Sequence, residues 1–223
     1  MTSEIETPRR PFKWRKLLVQ LVSGMAIGAL AGYGAGEVIG NYTEARGLDE
    51  LPPSVEIAGL IAALYIIVAA ALLAGSLSPS LGSKILNVED ADEIRESQSQ
   101  FVPTGIAMLL WGVALLGLAL SAPVGPLAAS AALGIGAGGL LIGTWFAIKA
   151  YRGSDELMLA MNLEAGAITY GLVLVVLGGW AMVAHVGYVA GPQPLDILTA
   201  CYALVLVASF IAVGRRGLLI RGG

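Results

Sequence analysis

A lone histidine and a few carboxylates carry whatever acid–base chemistry this chain can do. Glu37 and His185 each fall near the far end of a long apolar run, at what should be the same membrane level. If the two touched, the carboxylate and the imidazole could share a proton and titrate near neutrality. That chemistry suits a polar path in a small transporter or channel. A carboxylate at the bilayer centre costs roughly 2.5–3.5 kcal/mol, and the cost falls toward the interface. Glu37 follows about 20 apolar residues, so its depth argues for an interfacial carboxylate, with a buried partner or proton site as the other reading. His185 has no second histidine to share a metal with, and reads as an interfacial ring hydrogen-bonded to a neighbour. Glu164 stands four residues after Ala160 and seven after Leu157, on the same helical side. It suits capping or hydrogen-bonding of neighbouring helix ends. No nucleophile, base and acid assemble into a catalytic set, and neither a metal nor a cofactor is expected.

The elements that hold these residues follow from composition. Of 223 residues, 57% are hydrophobic and only 13% charged, against about 25% charged in soluble domains. The mean hydropathy is +0.79. About 18 or more consecutive, largely apolar residues read as a helix crossing the hydrocarbon core. Six such runs occur, at roughly 17–40, 55–77, 101–122, 127–150, 165–190 and 195–214. The expected fold is all-α: a six-helix membrane domain over 17–214, between tails at 1–16 and 215–223.

Lysines and arginines orient such a chain. Arg9, Arg10, Lys13, Arg15 and Lys16 precede the first run, Lys84 and Arg95 follow the second, Lys149 and Arg152 follow the fourth, and Arg215, Arg216 and Arg221 follow the sixth. Only Arg46 lies in a segment of the other parity. Both termini are therefore expected in the cytoplasm, with the protein spanning a bacterial inner membrane. The twin arginines before the first run resemble an export signal; five further spans make an uncleaved anchor the better reading. A single cysteine, Cys201, excludes a disulfide within the chain and reads as a small apolar packing residue.

Between the runs, Pro52-Pro53 starts a helix, while "SAPVGP" (121–126) and "GPQP" (191–194) are short uncharged turns that make antiparallel hairpins. The longer loop 76–100 carries Glu89, Asp90, Asp92, Glu93 and Glu96, whose spacing does not fit a calcium loop. Asp90 or Asp92 is a natural N-cap for a helix that continues into the third run.

Glycine adds the strongest pattern. In "GMAIGALAGYGAGEVIG", Gly24, Gly28, Gly32, Gly36 and Gly40 recur every fourth residue. Lipid is as apolar as leucine, so membrane helices associate by close packing, and small residues let backbones approach. The stripe predicts a groove for another helix. Gly134, Gly138, Gly139 and Gly143 of the fourth run offer one partner face, and the same helix of a second copy offers another. The string "GIGAGG" (134–139) mimics a phosphate-binding loop, but that motif needs a preceding strand and a water-accessible helix start. The few basic residues lie beside the spans, so nucleic acid is not an expected partner.

"SDELMLAMNLEAGAITYG" (154–171) resembles a family of small bacterial inner-membrane proteins with no assigned function. The residues that carry the likeness are Asp155, Glu156 and Leu157, then Leu163, Glu164 and Ala165, then the Gly191-Pro192 turn and Arg215-Arg216, over about 151–217. The resemblance implies a similar membrane layout and supplies no activity. The expectation is a non-catalytic structural or accessory membrane protein, self-associating or joining a larger complex in the lipid bilayer. The alternative is a small transporter or channel using Glu37 and His185.

Overall fold

The computed structural model describes the chain at residue 44 and over residues 51–78 and 91–216, the side chains of 91–96 excepted. The glycine stripe Gly24–Gly40, Glu37 and the whole first apolar run lie outside the described residues. The described helices all belong to one compact unit, Leu51–Gly223, and Met1–Glu50 counts as a separate unit.

The helices are α1 (Pro53–Leu77), α2 (Ala91–Ala119), α3 (Ala129–Arg152), α4 (Glu156–Val173), α5 (Gly179–His185) and α6 (Pro194–Arg215). A π-helical turn, Leu174–Gly178, joins α4 to α5 in one rod. No strand occurs among the described residues; Ser121 and Leu127 form an isolated bridge. Among the described residues, five helical stretches are long and apolar enough to cross a membrane: Pro53–Leu77, Ser97–Ala119, Ala129–Arg152, Glu156–His185 and Pro194–Arg215. The protein is all-helical and of the multi-pass membrane class.

Helix ends differ from the apolar runs where local chemistry, rather than hydropathy, sets them. Pro53 begins α1 because the first turn needs no N–H from it. The helix leading into the third run, expected to start at Asp90 or Asp92, is α2; it begins at Ala91, so Asp92 lies inside it and Asp90 lies outside the described residues. It ends at Ala119 and not at 122. There the chain turns through a cis Ala122–Pro123 bond, and the Gly125 amide donates to the Ser121 carbonyl at 2.7 Å. A Cβ at Gly125 would fall on the Leu120 carbonyl, so only glycine closes this turn. Expected over 165–190, the fifth run is helical from Glu156 to His185. Its start moves to a capped position, and its end is cut short by Gly187 at φ +83. The Trp180 indole N–H then donates to the Ala190 carbonyl at 2.9 Å, pinning the turn that follows.

Packing is sequential on one side of the unit. Helix α2 lies between α1 and α3, α6 rests on α1 and more lightly on α2, and α4 leans on α6. The core joins Ala58, Ala62 and Tyr65 of α1 to Leu115 and Ala119 of α2 and Tyr202 of α6. Small residues there bring the backbones together around two tyrosines, of which Tyr202 has its hydroxyl buried without a partner. Tyr65 donates its hydroxyl proton to the Tyr202 carbonyl at 3.0 Å, with ring centroids 5.1 Å apart.

The glycines of α3 divide between two faces. A Cβ on Gly139 would stand 2.7 Å from the Leu110 carbonyl oxygen and 2.8 Å from the Ala114 side chain. One on Gly143 would stand 2.7 Å from the Trp111 indole. Gly134 and Gly138 have nothing within 4 Å. The ridge of α3 that meets α2 therefore runs through Gly136, Gly139 and Gly143, and leaves out Gly134 and Gly138. The neighbour it meets is the other helix of its own hairpin.

A cavity between five helices

Consecutive helices joined by a tight link usually pack side by side, yet α3 and α4 do not lie against each other along their lengths. Only Gly153, Ser154 and Asp155 separate them. Asp155 caps α4, its carboxylate accepting from the Met158 amide at 2.7 Å, and the helix then departs toward α6. At that end Glu164 is held by two cations at the close of α6: Arg216 Nε at 3.0 Å and Arg215 Nη1 at 3.4 Å. The capped start and the ion pairs hold α4 against α6 and leave a gap beside α3.

Behind the gap lies a cavity of about 810 Å³. Helix α4 faces it with Met158, Asn162, Gly166, Thr169 and Val173, a stripe with helical spacing. Across from these stand Phe101, Thr104, Met108 and Trp111 of α2. Tyr151 of α3, Leu206 and Ser209 of α6, and Tyr65 and Leu72 of α1 complete the wall. All of these belong to the half of the unit where α1, α3 and α6 end and α4 begins.

The polar groups of the wall are mostly engaged with their own helices. Thr104 donates to the Gln100 carbonyl, Thr169 to the Ala165 carbonyl and Ser209 to the Val205 carbonyl, each at 2.8 Å. Such back-bonded hydroxyls keep acceptor lone pairs but have no proton left to offer. Gln100 Nε2 donates to Ser154 Oγ at 3.1 Å, tying α2 to the α3–α4 link, and Ser154 donates to the Ala150 carbonyl at 3.0 Å. The exposed Asn162 amide has no hydrogen-bond partner among the described residues. The Trp111 indole nitrogen is buried without a partner, beside Gly143. The chemistry available is therefore that of a largely apolar pocket with a few acceptors. Among the described residues no group of three or more His, Cys, Asp or Glu side chains could hold a metal ion.

The residues singled out in the sequence are scattered with respect to this cavity. His185 is exposed in the last turn of α5, at the opposite end of the rod, and Glu37 lies outside the described residues. Of the motif residues, Asp155 is the cap, Glu156 the first helical residue and Glu164 the ion-pair centre. Ala165 lines the cavity, while Leu157 and Leu163 are exposed. Sequence reasoning missed Gln100, Thr104, Asn162, Thr169 and Ser209, because they come from three helices with no shared spacing. The one signal was the polar and small stripe Asn162, Gly166, Thr169 inside an apolar run. Fold and interior together define a multi-pass helical membrane protein with a cavity in one half. No protein-family model, curated protein or solved structure matches the chain.

Proposed function

We propose that the chain is a non-catalytic accessory or structural protein of the bacterial inner membrane, with six spans and both termini in the cytoplasm. It works by associating with another membrane component or with further copies of itself. One observation carries this reading: the rod Glu156–His185 is long enough to cross a membrane, yet none of its residues is buried. Each of the other four described spanning helices has buried residues. Leu163, Val175 and Met182 stand uncovered on the rod at 59%, 74% and 71% exposure. Helices in lipid associate through close packing, not by escaping water, so a helix packed on one side only offers a face to a partner.

Photo-crosslinking residues placed at Leu163, Val175 and Met182 in native membranes test the reading. The expected result is protein adducts of discrete mass at these positions and none at Leu133 or Leu141, which are exposed on α3. Lipid adducts alone at all five positions would overturn it.

A further inference from the structure

We propose that the cavity is a lipid site, holding one acyl chain of a membrane phospholipid that enters sideways between α3 and α4. The cavity's size of about 810 Å³ falls in the range of roughly 300–1,000 Å³ for specific small-molecule sites. Its length points to lipid. From Met158 to Val173, 15 helical steps of about 1.5 Å give about 22 Å. One leaflet of a bilayer, headgroup included, measures roughly 20–22 Å. A partner helix would need a groove through the full thickness of the membrane, and this one stops at half.

The wall chemistry agrees. Phe101, Met108, Val173 and Leu206 offer hydrocarbon, and the Thr104, Thr169 and Ser209 hydroxyls have donated their protons to the backbone. Little remains deep in the cavity to bind an ionic or strongly hydrated cargo. The Trp111 indole N–H is one unpartnered donor of the deep wall, and two more stand toward the α3–α4 link, at Asn162 and at the exposed Arg152, between the lining residues Tyr151 and Ser154. A headgroup phosphate accepts from both kinds of donor. The apolar depth thus receives the tail and the link end receives the head. This site is independent of the accessory role, which rests on the outward face of α4.

Two glycines make the test. Gly166 lines the cavity and has nothing within 4 Å of a built Cβ, so Gly166→Phe projects into the cavity without striking the backbone. Gly171, on the same helix, has equal room but does not line the cavity. Native mass spectrometry after detergent exchange is expected to find one phospholipid retained by the wild type and by Gly171→Phe, and lost from Gly166→Phe. In membranes, a phospholipid with a mid-chain diazirine should label the cavity-lining Phe101, Thr104 or Met108. That labelling decides the matter even if Gly166→Phe fails to fold. Label confined to outward residues such as Leu141, or retention undiminished in a folded Gly166→Phe, would overturn the proposal.

Discussion

Gly139 shows how one missing side chain sets the distance between two helices. Its would-be Cβ meets a backbone carbonyl of α2, an obstacle that cannot rotate away as a side chain does. Overpacking a tight contact costs about 1–3 kcal/mol, which exceeds the roughly 1 kcal/mol by which alanine outranks glycine in a helix. Gly139→Leu is therefore expected to lower the melting temperature in detergent, while Gly134→Leu and Gly138→Leu leave it nearly unchanged. Equal melting of all three variants would remove the close-contact explanation. The five glycines of α3 look alike in the sequence, and hydropathy does not tell them apart. The spacing announced a packing face, but its rotation relative to α2 depends on which neighbour offers the complementary bumps, here Leu110, Ala114 and Trp111.

Helix α4 is the element whose boundaries and neighbours differ most from a hydropathy reading. Its first turns carry Glu156 and Glu164, so a search for apolar runs starts the span nine residues late. The physical start is the Asp155 cap, which satisfies the Met158 amide and sets a negative charge at the positive end of the helix dipole. Removing a capping side chain costs about 1 kcal/mol. Asp155→Ala is expected to speed hydrogen exchange of the amides from Leu157 to Met161, and Asp155→Asn to speed it much less. Equal protection in both variants would mean that contact with α6, and not the cap, holds this end. The acidic pair Asp155-Glu156 was legible ahead of the fifth apolar run. That Glu164 would meet Arg215 and Arg216, across 51 and 52 residues of chain, was not, because an ion pair depends on which helices become neighbours.

At the scale of the whole molecule, orientation rests on the basic residues. Single cysteines at residues 46, 85, 124, 153 and 193, in a Cys201→Ser background, are expected to react with an impermeant thiol reagent from outside only at 46, 124 and 193. Outside labelling at 85 or 153 would refute the six-span, termini-inside arrangement. The long apolar helices themselves were readable from the chain alone, because lipid leaves a backbone no hydrogen-bond partner but itself and asks only for enough apolar length. Five of them stand in the structure near where hydropathy put them, at 53–77, 97–119, 129–152, 156–185 and 194–215. How they pair is a different kind of fact. A spanning helix is apolar around most of its circumference, and hydropathy gives it no preferred side. The choice of α6 over α3 as the neighbour of α4, and the cavity left between them, comes from shape, a capped turn and one ion-pair cluster. Those interactions come into being only when distant segments meet.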